Sequence, residues 1–226
     1  EFLLGKGMPA QTVMALGVSE RSNRAFLLKD GKSAWRLLRA VPGKVYGIVR
    51  GPQMAKEAGR EMGRLHRAFG SFKGALKPAL PMFQYNKVLS ALKKNSRKLL
   101  MDKNKAVREA AGFLIAQFPR YFLPGGLPRR LIHTDPKISN FIFDERGHAV
   151  AMIDMDTVQR LTPLYDLGDA LRSFCGLEED NLKNKFNGKI YKAFLSGYKR
   201  GAGACLSVRE LRLIPQATAL VILGLA

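Results

Sequence analysis

The segment LIHTDPKISNFIFDERGHAVAMIDMDT, residues 131–157, sets carboxylate and amide side chains among apolar runs. Its runs NFIFD and AVAMID are predicted to form two strands joined by the turn ERGH, in which His148 is expected to be solvated. Asn140 stands where the first strand starts, and Asp154 stands where the second ends. Because a hairpin brings these two ends together, the two side chains are expected to lie side by side.

Oxygen atoms at these positions indicate a metal site. Mg²⁺ usually takes one or two carboxylates and completes its shell with phosphate groups and water. Asn140 and Asp154 are therefore predicted to be Mg²⁺ ligands, with Asp156 as a further metal candidate that could instead contact the substrate or simply follow the strand. Asp135, in the loop before the hairpin, is predicted to be the base that accepts the proton of an attacking hydroxyl. Lys137 is predicted to reach the transferred phosphoryl group as a point charge.

His133, Asp135 and Asn140 form the pattern H-x-D-x-x-x-x-N. It resembles the kinase catalytic loop H-R-D-L-x-x-x-N, with Thr134 in place of the arginine. Phosphoryl transfer from ATP suits such a set, because there the protein mainly positions the reactants and neutralises charge. In the competing interpretation, Asp135 caps a turn and Asp154 only ends a strand, which requires several coincidences.

The spacing after the hairpin favours a small-molecule substrate. Asp154 lies 12 residues before Asp166, and no D-F-G or A-P-E sequence is present. A protein kinase carries a long segment after its metal-binding aspartate, and this interval leaves little room for one. We therefore expect a small molecule with a hydroxyl group as the phosphate acceptor.

Two kinds of element must position these residues. The first forty residues are predicted to form short strands, with an Asp-Gly hairpin signal at 30–31. A Pro-Gly pair at 42–43 interrupts this strand pattern. Residues 1–42 are therefore expected to be the remnant of a β-rich N-lobe with its hinge. Residues 43–226 are expected to form a helical C-lobe that carries the catalytic loop and the metal-binding hairpin.

An amphipathic helix is predicted to follow Pro52, because apolar side chains recur there at spacings of three and four residues. His66 lies beside this stripe and is expected to be structural. Further helices are predicted on both sides of a loop at 122–130. The stripe comprises Met54, Ala58, Met62, Leu65 and Phe69. The helices predicted after the hairpin cover about 165–174, 180–200 and 207–225.

The charge of the chain favours anionic partners. Its 226 residues include 38 Lys and Arg against 18 Asp and Glu, a formal net charge of +20. The basic residues are spread out, and no aromatic-interleaved basic stretch marks a nucleic-acid site, so nucleic acid is not the expected partner. The alternative hypothesis is a non-catalytic basic module that binds nucleic acid or another polyanion on a degenerate kinase fold.

The cysteines and the chain ends bear on location. Two cysteines and no C-x-x-C spacing exclude a disulfide framework and favour a reducing, cytoplasmic setting. No secretory signal is visible, and the apolar C-terminal run is too short for a bilayer, so no membrane partner is expected. Both ends look like cuts in a longer chain.

The segments HTDPKISNFIFD, MIDMDTV and YDLGDALRSFC resemble the aminoglycoside phosphotransferase-like family of small-molecule kinases, most of all the branch that contains N-acetylhexosamine 1-kinases. The resemblance implies an α+β, protein-kinase-like fold with a partial β N-lobe and a mainly helical C-lobe. It also implies ATP and Mg²⁺ as cofactors. The implied reaction moves the γ-phosphoryl group to a hydroxyl of an amino sugar such as an N-acetylhexosamine, within carbohydrate metabolism.

The resemblance also implies supporting roles around the loop. His133 would brace the catalytic loop, and Asp166 would anchor it from the following helix by accepting backbone N–H groups. Arg172 and Asp169 would line or support the sugar site, or else pair with each other. The chain departs from the family upstream of Thr12, where neither a phosphate-covering loop nor a strand lysine is found.

Overall fold

The chain contains a small set of N-terminal strand pieces followed by a larger, mainly helical body. A computed structural model describes residues 15–16, 28–35, 37–38, 40–74, 76, 81–176 and 185–225. The short strands are β1 (Ala15–Leu16), β2 (Leu28–Asp30), β3 (Ser33–Trp35) and β4 (Leu37–Leu38). The residues upstream of Thr12, where the phosphate-covering loop and the strand lysine of the family were not found in the sequence, lie outside the described residues.

The predicted hairpin at the Asp-Gly signal is present. Strands β2 and β3 pair antiparallel, and Asp30 lies opposite Ser33. The two turn residues are therefore Gly31 and Lys32, one position later than the sequence pair suggested. Gly31 has φ +56°, a left-handed conformation that costs glycine little because it has no Cβ.

The predicted break at 42–43 leads into a segment that docks on the body. Lys44 forms an antiparallel bridge with Phe143, with N–H···O distances of 2.8 and 2.9 Å. Gly43 has φ +145°, and a Cβ atom there would lie 2.5 Å from an Ile142 methyl carbon. This position therefore needs glycine for both its conformation and its close approach.

The first long helix, α1 (Pro52–Phe69), follows the predicted apolar stripe. Pro52 occupies its first turn, where the missing N–H costs nothing. Ala58, Met62, Leu65 and Phe69 of the stripe are buried, whereas Met54 is partly buried. The periodicity of the sequence thus identified the face that meets the core.

Three shorter helices, α2 (Tyr85–Lys94), α3 (Ser96–Leu100) and α4 (Lys105–Gln117), follow. Helices α2 and α3 are separated at Asn95, whose side-chain amide donates to the Ala91 carbonyl at 2.8 Å. Asn104 caps α4 by accepting the N–H of Ala106 at 2.9 Å.

Two antiparallel strand pairs frame the predicted site. The expected hairpin consists of β6 (Phe141–Phe143) and β7 (Ala149–Met152). A second pair joins β5 (Arg130–Ile132) to β8 (Gln159–Leu161), and sequence reasoning did not predict it. The loop that carries the predicted base is therefore held between a strand that precedes it and a strand that follows the hairpin.

The last helices are α5 (Pro163–Cys175), α6 (Gly188–Ala202) and α7 (Val208–Leu225). All three predicted helices are present, although α6 begins at Gly188 and residues 180–184 of the predicted span lie outside the described residues. Within the part of the chain that the structure describes, no helix is long and apolar enough to cross a bilayer. One core cluster joins α1, the hairpin, α5, α6 and α7.

Candidate active site

Asp166 holds the loop that carries the predicted base. Its Oδ2 accepts the backbone N–H of His133 at 2.7 Å, and its Oδ1 accepts that of Thr134 at 2.7 Å. The carboxylate is fully buried near the start of α5. Thr134 has φ +75°, in the left-handed region that a threonine adopts only when its surroundings hold it there. Two charge-assisted hydrogen bonds provide that restraint.

A second group of hydrogen bonds ties the loop to the segment after β7. The His133 ring donates from Nε2 to the Ile153 carbonyl at 2.8 Å, and its Nδ1 accepts the N–H of Asp135 at 3.3 Å. Thr134 Oγ1 donates to the Thr157 carbonyl at 3.0 Å, and Thr157 Oγ1 donates to the His133 carbonyl at 3.2 Å. The loop and this segment therefore support each other.

The predicted base lies beside two polar side chains from its own loop. Asn140 Nδ2 donates to the Asp135 carbonyl at 2.8 Å and to Asp135 Oδ2 at 3.1 Å. Lys137 Nζ lies 3.0 Å from the same Oδ2. An amide and a cation thus orient the half-buried carboxylate, while Asn140 keeps its Oδ1 as a ligand atom.

The hairpin brings the remaining predicted metal ligands to this end of the site. Ile153 donates its N–H to the Asn140 carbonyl at 2.9 Å, so Asp154 is the residue just after the last paired position. Asp154 is exposed and has a left-handed backbone at φ +67°, ψ +56°. Asp156 is also exposed, in the 3-10 turn Met155–Thr157 that follows.

The donor atoms fit a hard cation that arrives with phosphate groups. Within the described residues, no three His, Cys, Asp or Glu side chains are arranged to hold a metal by themselves. Mg²⁺ is usually held by only one or two carboxylates, with phosphate oxygens and waters completing its octahedron. The amide oxygen of Asn140 and the carboxylates of Asp154 and Asp156 suit such a shared site.

Asp169 and Arg172, the predicted substrate contacts, form an ion pair on α5 with 2.9 Å between Oδ1 and Nε. Burial raises the pKa of Asp169 to about 6, although the Arg172 guanidinium acts in the opposite direction. The negative charges of Asp135 and Asp166 also raise this pKa. The pair is compatible with both roles considered for it, and contact with a substrate stays a prediction.

Two residues that sequence reasoning did not assign to the site lie behind Asp166. His66 Nε2 lies 2.9 Å from Asp166 Oδ2, and His66 Nδ1 lies 2.9 Å from the Tyr198 hydroxyl. A neutral imidazole that donates from Nε2 accepts the tyrosine O–H at Nδ1. Both side chains are almost fully buried. The sequence carried no signal for this chain of contacts, because its members come from α1, α5 and α6.

Three solved structures show what the fold is similar to. An aminoglycoside-3'-phosphotransferase of type VIII is 20% identical with a TM-score of 0.53, over 96% of this chain and 75% of that one. The amicoumacin kinase hAmiN, in complex with AMP-PNP, Ca²⁺ and Ami, is 17% identical with a TM-score of 0.60, over 99% and 65%. A choline/ethanolamine kinase family protein from Mesorhizobium loti is 14% identical with a TM-score of 0.55, over 99% and 65%.

These similarities confirm the expected α+β, kinase-like fold. This chain spans 65% to 75% of the length of the three chains. The family model described as "Phosphotransferase enzyme family" matches residues 8–204, which is most of the sequence. Those residues include the loop anchored by Asp166, the hairpin and the helices that support them. The chain therefore belongs to the phosphotransferase enzyme family.

Proposed function

We propose that the protein is an ATP- and Mg²⁺-dependent phosphotransferase that moves a γ-phosphoryl group to a hydroxyl of a small molecule. The acceptor is an amino sugar such as an N-acetylhexosamine. The observation that carries the proposal is the Asp135 carboxylate, oriented by Asn140 and Lys137 on a loop whose backbone Asp166 restrains.

In this proposal Asp135 is the catalytic base. Its carboxylate accepts the proton of the acceptor hydroxyl as that oxygen attacks the γ-phosphorus, and the leaving group is ADP. Lys137 compensates negative charge at the transferred phosphoryl group. The neighbouring contacts matter because this chemistry depends on positioning rather than on covalent participation by the protein.

Asn140 and Asp154 hold Mg²⁺, with Asp156 as a further ligand or a contact to a bound water. The cation neutralises phosphate charge when it is bound. The protein's own side chains hold the loop in place: the His133 ring donates to the Ile153 carbonyl, and the Asp166 carboxylate accepts the backbone N–H groups of His133 and Thr134.

The chemistry of the acceptor rests on the resemblance to N-acetylhexosamine 1-kinases and on the side chains next to the loop. Asp169 and Arg172 offer a carboxylate and a guanidinium within one turn of α5. Hydroxyl groups of a sugar can donate to the first and accept from the second. These two side chains are therefore the proposed substrate contacts.

The test is a phosphoryl-transfer assay with ATP and Mg²⁺ on the wild type and on Asp135→Asn. The acceptors are N-acetylglucosamine, N-acetylgalactosamine, choline and an aminoglycoside. We expect phosphorylation of an N-acetylhexosamine, and a loss of kcat of about a hundredfold or more in the variant, because the base is removed while the shape is kept.

The matched control is Asp144→Asn. Asp144 is an aspartate in the turn at the far end of the hairpin, where it pairs with His148 at 3.1 Å. Its variant should retain wild-type turnover. Full activity in Asp135→Asn would contradict the assignment of the base. If no acceptor is phosphorylated and the protein binds a nucleic-acid probe in low salt but not in high salt, the non-catalytic alternative replaces this proposal.

A further inference from the structure

A cavity of about 490 Å³ lies between α1, α6 and the turn that joins β6 to β7. Arg60 and Arg64 line it from α1, and Arg200 lines it from α6. Asp144 and His148 of the hairpin turn form another part of its wall. The volume is in the range of cavities that hold small molecules. This space is called the arginine-lined cavity below.

The close packing of α1 on α6 brings the three arginines to one place. A Cβ atom added at Gly201 of α6 would meet the α1 backbone at Arg60 and Arg64. Arg200 directly precedes Gly201. Arg60 and Arg64 are four residues apart in a helix, so they lie on the same face of α1. The cavity therefore receives positive charge from two helices at the point where their backbones touch.

Carboxylates beneath the surface hold the two arginines of α1 in place. Arg60 Nη2 lies 2.7 Å from Glu57 Oε2, and the Glu57 side chain is almost buried. Arg64 Nη1 lies 3.1 Å from Oε2 of the fully buried Glu61. The two arginine side chains are 33% and 28% exposed, so a ligand can reach them. A guanidinium group has five N–H donors, and each of these pairs leaves several of them for a ligand.

Arg200 adds a positive charge that no carboxylate offsets. Its side chain is exposed, and it forms no ion pair or hydrogen bond with any residue that the structure describes. Helix α6 contains four lysine and arginine residues and no acidic residue. Asp144 of the opposite wall already pairs with His148 at 3.1 Å. The wall therefore keeps a net positive charge.

These charges favour an anion, and the arrangement of donors favours a phosphate group. Guanidinium groups bind phosphate through parallel N–H···O bonds, and three of them can reach several oxygens of one phosphate. Inorganic phosphate has only five heavy atoms and fills a small part of the cavity. Space therefore remains for the organic part of a phosphate ester.

The arginine-lined cavity is separate from the candidate active site. Asp144 and Asn140 stand at opposite ends of β6, which places them roughly 13 Å apart at about 3.3 Å per residue. Of the described residues that line the cavity, none is a predicted base, metal ligand or substrate contact. A molecule bound in this cavity therefore leaves those residues accessible.

We propose that the arginine-lined cavity is a second ligand site, which binds the phosphate group of a small phosphate monoester. Arg60, Arg64 and Arg200 donate to the phosphate oxygens, and the hairpin turn borders the organic part of the ligand. Binding there requires neither ATP nor Mg²⁺. The inference does not depend on the proposed function, because it uses none of the residues that carry that function.

The experiment measures binding to the full chain by calorimetry, without ATP or Mg²⁺. The probes are inorganic phosphate, glucose 6-phosphate, glucose and glucuronate. We expect glucose 6-phosphate to bind more tightly than inorganic phosphate, and glucose not to bind. Glucuronate carries a carboxylate instead of the phosphate and should bind about tenfold more weakly than glucose 6-phosphate, because it has fewer oxygens and less charge for the guanidinium groups.

Arg200→Gln removes the unpaired charge and should weaken the binding of glucose 6-phosphate by about tenfold or more, since a charge-assisted hydrogen bond is lost. Arg200→Lys keeps the charge without the forked donors and should weaken binding by a smaller factor. Because Arg200 is exposed, both variants are expected to fold.

Two control variants change exposed residues that do not line the cavity. Arg209→Gln makes the same substitution at the start of α7, and Lys199→Gln removes the neighbouring positive charge on α6. Both should leave the affinity for glucose 6-phosphate within about twofold, because an exposed charge that does not contact the ligand is screened by salt.

Undetectable binding of glucose 6-phosphate would overturn the inference. Equal weakening by Arg200→Gln and Lys199→Gln would also overturn it, because the general positive charge would then attract the anion. Equal affinities for inorganic phosphate and glucose 6-phosphate would contradict the choice of a monoester, and equal affinities for glucuronate and glucose 6-phosphate would contradict the choice of phosphate. Binding that is lost in Lys137→Gln but kept in Arg200→Gln would place the ligand in the candidate active site instead.

The phosphoryl-transfer assay separates this inference from the proposed function. Arg200→Gln should keep wild-type turnover, because Arg200 lies outside the candidate active site. If the cavity binds glucose 6-phosphate as expected but the wild type phosphorylates no acceptor, the inference stands and the proposed function fails. If the wild type phosphorylates an acceptor but Arg200→Gln binds glucose 6-phosphate as tightly as the wild type, the function stands and this inference fails.

Discussion

The His66 side chain on α1 contacts α5 and α6, and through Asp166 of α5 it is connected to the loop that carries the predicted base. It lies between the Asp166 carboxylate and the Tyr198 hydroxyl, 2.9 Å from each. Asp166 in turn accepts the loop amides of His133 and Thr134. At the scale of single residues, the position of the loop therefore depends on a group that touches none of the reacting atoms.

Replacing His66 tests this dependence. We expect His66→Leu to lower the free energy of unfolding by about 2–4 kcal/mol, because it removes two buried hydrogen bonds and strands the Tyr198 hydroxyl. His66→Gln keeps an N–H donor for Asp166, so its free energy of unfolding should fall by less. Urea denaturation measures both, and equal losses in the two variants would show that the hydrogen bond to Asp166 is not what matters.

The buried carboxylate of Asp169 predicts a specific dependence of stability on pH. Its pKa in the folded protein is about 6, and that of an unfolded aspartate is about 3.9. Between these values the folded state binds more protons than the unfolded state, so the free energy of unfolding falls as pH rises. The variant Asp169→Asn has no ionisable group at this position, so its stability lacks this dependence on pH.

The wild type should therefore lose about 3 kcal/mol of stability relative to Asp169→Asn between about pH 3 and pH 7. Urea denaturation of both proteins across this pH range measures the difference between their free energies of unfolding. The titration of groups that the two proteins share cancels in this difference. Parallel stability curves would contradict the raised pKa.

At the scale of elements, α1 and α6 cross with their backbones in contact. Cβ atoms added at Gly59 and Gly63 of α1 would meet the α6 backbone at Phe194 and Tyr198. Cβ atoms added at Gly197 and Gly201 of α6 would meet the α1 backbone at Lys56 and Arg60. A Cβ atom at Gly197 would overlap the carbonyl oxygen of Lys56, so no side chain fits between the helices there. Because His66 and Tyr198 lie on the same two helices, this close crossing sets the distance that their hydrogen bond spans.

Gly197→Ala should lower the free energy of unfolding by about 3 kcal/mol, since overpacking at a rigid backbone contact forces the helices apart. The matched control is Gly112→Ala in α4, where the nearest atom to a new Cβ is 3.7 Å away. That variant should gain about 0.5–1 kcal/mol, because alanine favours a helix more than glycine does. Chemical denaturation compares the two, and similar changes in both would refute the close crossing.

At the scale of the whole molecule, the candidate active site and the hydrophobic core are built from the same packed elements. The main core cluster takes residues from α1, α5, α6, α7 and the hairpin, and Asp166 is buried within the same packing. The sequence carries a net charge of +20, which favours anionic ligands such as nucleotides at long range. The charge therefore agrees with the proposed cofactor.

The sequence by itself determined the features that depend on short spacings. The apolar repeat of α1, the hairpin of β6 and β7, and the pattern from His133 to Asn140 each lie within one continuous segment. Local periodicity and turn chemistry specify such features without knowledge of the rest of the chain. The kinase-like fold was predicted from the resemblance of the segments HTDPKISNFIFD, MIDMDTV and YDLGDALRSFC to a known family. The roles assigned to the site residues stay predictions.

Only the tertiary structure decided what depends on contacts between distant segments. The pairing of β5 with β8, the contact of Tyr198 with His66 and the glycine crossing of α1 and α6 join residues far apart in sequence. No local sequence pattern predicts these contacts, because the sequence around a tyrosine or a glycine does not indicate which distant segment that residue packs against. The left-handed backbone of Thr134 belongs to this class as well, since the Asp166 carboxylate that restrains it comes from a later helix.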